Sequence, residues 1–555
     1  MSAEKLTYLP LGGAGEIGMN MYLYGVGPVG QQRFLLVDCG VTFPSMDGTP
    51  GVDLIMADAA FVAERADRLD GIVITHAHED HVGALGFLMD QLRAPVYARP
   101  FTAEIARQKL EKAGQDPSYV HEVAPWPETT DIGPFNVGLV PVSHSIPEAS
   151  GVVIDTDLGR IFHTGDFKLD PTPLVGEAFD EAVFSGLGEL GIDALVCDST
   201  NVFSAHPGRS EASIKPAITD LMAEARGLVV ATTFASNIAR LKTLAQAATD
   251  ANRSVTVMGR AMGTMLKNGF STGVLEDFPP VVEPREADAI PRENLMILAT
   301  GSQGERRAAM AQLASGSFLG FSLKAGDTVL FSSKTIPGNE VSVARILNQL
   351  SERGVHVIDD ADGRYHVSGH ANRPDLQRMH DLIRPRVLVP MHGEHRHLST
   401  HAALGEAADI PSIVAPNGTI VELSGNAPGV IDHIEAGRTY LDGKVLIGAM
   451  DGIVRDRVRL ALRGQVTVTV LLEGNGTPID DPWVETLGLP DPAVGGSLAE
   501  QLEAELASVL SRAKRKQLAE DDAVEGLLTK AATALCADEI GKKPIVTILI
   551  SRFED

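Results

Sequence analysis

The sequence predicts an α/β fold in three parts: stacked sheets with covering helices, a parallel-sheet insertion, and a small α+β unit at the end. Three patterns predict it. Between residues 1 and 200, short apolar runs end in Gly, Asp or His, among them RFLLVDCG (33–40), GIVITHAHEDH (71–81), GLVPVSHS (138–145), GRIFHTGD (159–166) and DALVCDST (193–200). Buried strands closed by turn residues read this way. Helical patterns such as VGALGFLMDQL and TAEIARQKLEKAG fall between them. From 210 to 350, GLVVATT, SVTVMG, ENLMILAT and DTVLFSS alternate with helices such as SNIARLKTLAQAATDAN. That βαβ rhythm implies a parallel sheet, with ligands expected beyond the carboxyl ends of its strands. Residues 365–425 return to short strands carrying histidines, YHVSGH and RVLVPMHGEH, and a Gly-rich connector follows. From 462, VTVTVLLEG, two polar helices over 497–540 and PIVTILISR make the last unit.

The 555 residues exceed one ordinary domain, and 44% apolar with 22% charged residues suits packed cores and excludes wholesale disorder. No apolar run reaches the roughly 20 residues of a membrane helix. The start, MSAEKLTYLPLGG, lacks the regions of a signal peptide. A cytoplasmic protein without a membrane partner is expected. Cys39, Cys197 and Cys536 are odd in number and far apart, which excludes a disulfide framework or a CxxC zinc site. The net charge of −26 argues only weakly against a polyanionic partner. Binding follows the local field, and a site holding two divalent cations brings its own positive charge.

The strongest motif is His76-Ala77-His78-Glu79-Asp80-His81, between an apolar strand and a helix. One metal could take His76 and His78, and a second Asp80 and His81. Such ligands suit zinc, and also manganese or related ions. Further ligands stand at strand ends: His144 in PVSHS, Asp166 in HTGD and His392 in PMHGE. A carboxylate such as Asp166 can bridge two cations. Gly13-Ala14-Gly15-Glu16-Ile17-Gly18, with Asp38 twenty residues on, mimics a dinucleotide fingerprint. It is rejected because the β-like MNMYLYGVG follows where a long helix is needed; the glycines fit a tight hairpin near the metal cleft.

Ser368, Gly369, His370 and Ala371 are phosphate-binding candidates, because the small residues among them let backbone N–H groups approach an anion. Ala235-Ser236-Asn237 opens a helix and offers another phosphate seat, and Gly301-Ser302-Gln303-Gly304 is similar. Ordinary helix capping competes with both readings. His395, His397 and His401 read as a surface helix face, as does SRAKRKQLAEDD, where RAKRK offers an RNA contact. His163 points either into the cleft or into a core. His121, His206, His356, His380 and His433 carry no signal.

HxHxDH is the signature of the metallo-β-lactamase superfamily, which the chain resembles over its first 200 residues and again after 365. A βαβ insertion before a later histidine motif resembles the β-CASP branch. With LGGAGEIGMN, TGSQGE and the C-terminal unit, the whole chain is similar to the bacterial ribonuclease J family. The resemblance implies an αββα sandwich at 1–208 and 365–425, a β-CASP domain at 209–364, a linker at 426–461 and a C-terminal α+β domain at 462–555. It implies two zinc ions per subunit, with manganese or magnesium as alternatives. His76, His78, His144 and Asp166 would hold one, and Asp80, His81, Asp166 and His392 the other. Asp198 and His370 match the branch's acid and histidine motifs, and with Asp80 they form the catalytic candidates. His392 is the histidine of RNA-processing members, where DNA-processing ones typically carry valine. Asp38 matches the superfamily's first acidic motif and would orient the ligands.

The chemistry is coherent with that set. Two cations clamp and acidify a hydroxide, which attacks the phosphodiester in line. His370, oriented by Asp198, protonates the departing oxygen. In this family the 5′-monophosphate of RNA has its own pocket, matched by His366, Val367, Ser368, Gly369 and His370 with Ala235 to Asn237. The expected activity is 5′→3′ exonuclease on single-stranded RNA with some endonuclease action, serving mRNA decay and rRNA maturation. Homodimers or homotetramers and an RNA-degradation complex are the implied assemblies. A structural calcium near Gly51 and Asp53 is a weaker implication, since its distal partner near Asp451 does not align cleanly. A DNA-processing nuclease and a non-catalytic RNA-binding scaffold are the competing readings.

Overall fold

A computed structural model describes residues 4–336, 338–360 and 363–553. The chain divides into two compact units, residues 1–43 with 54–439, and residues 44–53 with 440–555.

In the larger unit two sheets face each other. The first has eight strands, in the order Gly429–His433, Thr419–Glu422, Glu4–Gly12, Met21–Pro28, Arg33–Val37, Leu69–Val73, Val96–Ala98, Val120–Glu122. The second has six: Thr129–Ile132, Phe135–Pro141, Ser150–Thr156, Gly159–His163, Ala194–Asp198 and Val387–Met391. Alternate residues of both sheets meet between them. Tyr8, Tyr22, Leu35, Val37 and Val73 pack with Val137, Leu139, Val152, Ile154, Val196 and Val389. Helices Glu181–Glu189 and Arg373–Ile383 cover the outer face of the second sheet through Phe184, Leu187, Leu376, Met379 and Ile383. The latter starts on a capping box, Asn372 with Asp375, which satisfies its free N–H groups. This is the αββα sandwich.

The expected βαβ segment forms a five-stranded sheet, ordered Ser254–Met258, Leu295–Ala299, Val229–Thr232, Thr328–Phe331, His356–Ile358, and every pairing is parallel. Its three central strands are buried on both faces, which is why they read as continuous apolar runs without alternation. Helix Ile238–Asp250 packs with nine of its residues buried.

The smaller unit carries strands Trp483–Leu487, Gln465–Glu473 and Ile545–Phe553, the last two parallel. Gln465–Glu473 alternates buried and half-buried residues along its whole length. Its inner face meets Leu498, Leu502, Leu506 and Leu510, one residue per helical turn of Leu498–Arg512. Each such leucine contributes about 2 kcal/mol by leaving water.

The stretch 426–461, expected as a linker, is structured instead: it holds strands Gly429–His433, Arg438–Asp442 and Val445–Gly448 and helix Ile453–Arg463. Its glycines and Pro428 punctuate short strands rather than loosen the chain. Gly429–His433 pairs with Thr419–Glu422 and so extends the eight-stranded sheet. Among the described residues no helix is long and apolar enough to cross a membrane.

Candidate metal centre and active site

Strand Leu69–Val73 ends beside the second sheet, and the turn after it delivers His76, His78, Asp80 and His81 to one point. Asp166 arrives just beyond strand Gly159–His163, Asp198 at the end of Ala194–Asp198, and His392 directly after Val387–Met391. Parallel neighbours Ala194–Asp198 and Val387–Met391 end in register, Asp198 opposite Met391, so their terminal side chains converge.

Three groups with ligand spacing share Asp166: His76, His78 and His144; Asp80, His81 and His392; and Asp198, His370 and His392, of which the first two are the expected ligand sets. In the first, His78 Nδ1 lies 3.0 Å from His76 Nε2 and 3.1 Å from His144 Nε2. Asp166 Oδ2 stands 3.7 and 3.8 Å from those two Nε2 atoms. In the second, His81 Nε2 is 3.3 Å from Asp166 Oδ2, and His392 Nε2 is 3.3 Å from Asp80 Oδ2. Ligand atoms about 3.3 Å apart are what a tetrahedral ion with bonds near 2.0 Å requires.

Three further observations fit cations there. Asp166 Oδ1 is buried without a hydrogen-bond partner, a costly state for a carboxylate oxygen unless a positive charge faces it. Burial and the neighbouring imidazoles hold His76 and His144 well below the ordinary histidine range, and burial brings His78 down to about 4. These three neutral rings have lone pairs to offer, whereas Asp166 and its neighbouring carboxylates raise His81 and His392 above the ordinary range. Four of the imidazoles are also gripped by their other nitrogen. His81 Nδ1–H donates to Asp38 at 2.7 Å, His144 Nδ1–H to the Gly369 carbonyl at 2.7 Å, and His392 Nδ1–H to Thr200 Oγ1 at 2.7 Å. His76 Nδ1 lies 3.0 Å from Thr75 Oγ1. Such outer partners fix tautomer and aim.

Asp38, expected to orient the ligands, lies directly behind His81. It is wholly buried and accepts from Thr75 N and Thr75 Oγ1 as well as His81. Burial pushes its carboxyl up, and His81 and Thr75 pull it back. Asp38 and His392 both hold left-handed backbone, φ +64° and +50°, a strained state that clusters at functional sites.

Beside the first two groups, His370 Nδ1–H donates to Asp198 Oδ2 at 2.8 Å. Asp198 Oδ1 accepts from Thr200 N at 2.9 Å and Thr200 Oγ1 at 2.7 Å. Burial alone would depress His370, but the Asp198 and Asp166 carboxylates outweigh it and hold the ring above its ordinary value. The Asp198 carboxylate thus favours the protonated form of this ring.

Residues that sequence reasoning missed complete the centre. Asn20 Nδ2 donates to the Asp80 carbonyl at 3.0 Å, while its Oδ1 accepts from Tyr22 OH at 2.7 Å. A Cβ on Gly13 would stand 2.1 Å from Asn20 Oδ1, and Gly13 sits at φ +82°. The glycine-rich stretch thus serves close backbone approach in the metal cleft. Gly40 is tighter still: a Cβ there would meet the Asp80 carbonyl at 1.7 Å. Thr200 was readable only as the residue two after Asp198.

A cavity of about 110 Å³ adjoins, lined by His366, Val367, Ser368 and His370, by Lys168, Asn201, Arg209 and Lys334, and by the carboxylate of Asp360. Asn201 Nδ2 donates to Ser368 Oγ at 2.7 Å, and Gly369 turns its carbonyl to His144. Ala371 is buried in the core under helix Arg373–Ile383. Ala235, Ser236 and Asn237 do not line this cavity; Asn237 caps helix Ile238–Asp250 by accepting from Arg240 N. At Ser302 and Gln303 no helix begins, since the next one is Ala309–Ser315. Gln303 instead holds the loop at Lys334 and Ile336.

The surface reading of helix His395–Glu406 holds for His395 but needs correction at its other two histidines. His397 and His401 are buried, not surface: the helix lies against the second sheet, so its i,i+4 pair faces inward. His401 bonds Ser199 and lies 3.0 Å from His380 Nε2, which gives His380 a partner as well. His163 belongs to the core, its Nδ1 2.9 Å from Tyr24 OH. At the calcium candidate, Asp53 accepts from Gly443 N and Asp451 from Gly448 N. Neither joins a ligand group of three among the described residues.

Fold and site together define a metallo-β-lactamase-type protein with a β-CASP insertion. Family models agree: a beta-lactamase superfamily domain at 33–198, a ribonuclease J beta-CASP domain at 226–350, a Zn-dependent metallo-hydrolase RNA specificity domain at 364–416 and a ribonuclease J C-terminal domain at 452–553. The chain is 42% identical to ribonuclease J of Sinorhizobium meliloti, covering 99% of this chain and 98% of the relative. It is 36% identical to that of Mycolicibacterium smegmatis over 90% of each, and 33% identical to ribonuclease J 1 of Streptococcus pyogenes over 99% and 98%. The chain belongs to the ribonuclease J family. A crystal structure of a protein of unknown function from Enterococcus faecalis shares the fold, with a TM-score of 0.51 at 16% identity over 77% of this chain and all of that one.

Proposed function

We propose that this chain hydrolyses single-stranded RNA from the 5′ end, prefers a 5′-monophosphate, and also cuts internally. Two zinc ions per subunit, with manganese or magnesium as alternatives, would sit in the two expected ligand sets around Asp166. Bound there, they supply Lewis-acid charge that acidifies water and offsets the charge of the phosphodiester. The chain's own groups do the rest. His370 delivers a proton to the departing sugar oxygen, and Asp198 keeps that ring charged and aimed. Lys168, Arg209, Lys334 and Ser368 offer donors to the terminal phosphate. One observation carries the reading: His370 both bonds Asp198 and lines the basic cavity. A terminal phosphate held in the cavity would therefore lie next to the ring that serves the scissile bond. The basic cavity also answers the net charge of −26, because a local field attracts RNA whatever the total.

The names of the relatives support RNA as substrate, and a cytoplasmic role in mRNA decay and rRNA maturation, as a homodimer or homotetramer, follows from the same family. The test is a labelled oligonucleotide bearing 5′-monophosphate, triphosphate or hydroxyl, with a DNA strand of the same sequence. Mononucleotides released from the monophosphate RNA first, and not from DNA, support the reading. Equal cleavage of all three RNA ends would sink the end preference.

A further inference from the structure

We infer that Arg240, gripped by Glu211, is a positioning residue for the cavity: it fixes the course of residues 365–367 and the tautomer of His366. The inference rests on reading that cavity as the seat of the terminal phosphate.

Arg240 stands on helix Ile238–Asp250, and its side chain is wholly buried. Buried guanidinium is costly unless its donors are matched. Nε and Nη2 donate to the two oxygens of Glu211 at 2.6 and 2.9 Å. Nη1 donates to the Ser332 carbonyl at 2.7 Å and to Ser332 Oγ at 3.0 Å. The other contacts all reach the segment leading to His370: the carbonyls of Tyr365 and Val367, at 3.4 Å each, and His366 Nδ1 at 3.1 Å.

Glu211 lies where the chain enters the insertion. Its N–H donates to Asp170 at 3.0 Å, and Asp170 pairs with the cavity residue Lys168 at 2.8 Å. One side chain thus ties the start of the insertion, the end of strand Thr328–Phe331 and the return segment into one fixture beside the metal ligands.

The contact to His366 has a chemical consequence. Guanidinium only donates, so a hydrogen bond from it requires Nδ1 unprotonated and the ring proton on Nε2. His366 is then a neutral ring with an N–H donor, and it lines the cavity. Burial and the neighbouring Arg240 and Lys334 charges keep it neutral.

The test uses the full-length, metal-loaded protein and four variants. Arg240→Lys keeps the charge but loses the planar fork. The double variant Arg240→Met with Glu211→Leu removes both charges, so neither is left buried and unpaired. His366→Gln places an amide nitrogen near Nε2, and His366→Asn places one near Nδ1. Thermal unfolding and bound-metal content report integrity, while kcat and KM are measured on 5′-monophosphate and 5′-hydroxyl RNA.

The Arg240 variants should lose about ten-fold of the monophosphate preference, the scale of one hydrogen bond to a charged group, mainly in KM, with hydroxyl-ended RNA changed less than about three-fold. His366→Gln should keep more of the preference than His366→Asn. Undiminished preference in the Arg240 variants, parallel loss on both RNAs, or Asn outperforming Gln overturns the inference. A wild type with no preference overturns instead the reading of the cavity.

Discussion

Replacing Asp38 by Asn changes one atom in the frame that aims His81. At φ +64° the backbone is left-handed, which Asn tolerates as well as Asp, so the turn survives. The carboxylate accepts from Thr75 N at 2.8 Å, from Thr75 Oγ1 at 2.9 Å and from His81 Nδ1–H at 2.7 Å. An amide has one oxygen. If that oxygen stays with Thr75, the NH₂ group faces His81 Nδ1 and drives the ring proton to Nε2, the atom 3.3 Å from Asp166. His81 then has no lone pair to give the second ligand group. Losing such an outer partner weakens metal affinity about 10–100-fold, or about 1.4–2.7 kcal/mol. A charge-assisted hydrogen bond, about 1.5–3 kcal/mol, gives the same scale independently. Competition between the apo-protein and a chromogenic chelator for zinc or manganese resolves the two sites. The site of Asp80, His81 and His392 should weaken by that factor, and the site of His76, His78 and His144 by less than about three-fold. Unchanged affinity at both sites, or the larger loss at the first, would refute the reasoning.

Three other outcomes are expected. In Asp198→Asn the charge that lifts His370 is gone, so the alkaline limb of the pH–rate profile moves to lower pH and the rate falls about 100-fold; an unmoved limb would remove His370 from the acid role. Gly40→Ala, whose Cβ would meet the Asp80 carbonyl at 1.7 Å, should lower bound metal per chain while the thermal transition of the C-terminal unit stays put, read by metal analysis and calorimetry. His380 is buried and brought down to about 4, against 6.5 for an unfolded imidazole. Its stabilising share is full above pH 6.5 and fades as pH falls toward 4, by about 3 kcal/mol. His380→Leu should flatten that part of the urea-midpoint profile, and an unchanged slope would contradict the assignment.

Much of the architecture was legible because its signals are local. HAHEDH places four ligands on one turn, and parallel strands bury both faces, so they appear as unbroken apolar runs. His144, Asp166 and His392 were legible for another reason: each follows an apolar strand, and adjacent strand ends meet in space. The partners that aim these ligands were not legible. Asn20, Gly40 and Thr200 look like turn residues, and their roles exist only once distant strands are in register. His397 and His401 misled because i,i+4 spacing reveals a shared face but not which way it points. Arg240 was hidden by its chemistry, since a charged residue on an amphipathic helix reads as solvated. The segment 426–461 was read as a connector because its strands are too short to rise above their glycines.

The most direct measurement is metal-dependent cleavage of a 5′-labelled RNA by the wild type and by His78→Ala, with zinc or manganese added back to chelated protein. Cleavage that returns with metal in the wild type and is absent from a folded His78→Ala is the predicted result. Metal-independent cleavage, or full activity in the variant, would contradict the assignment of this centre as the site of hydrolysis.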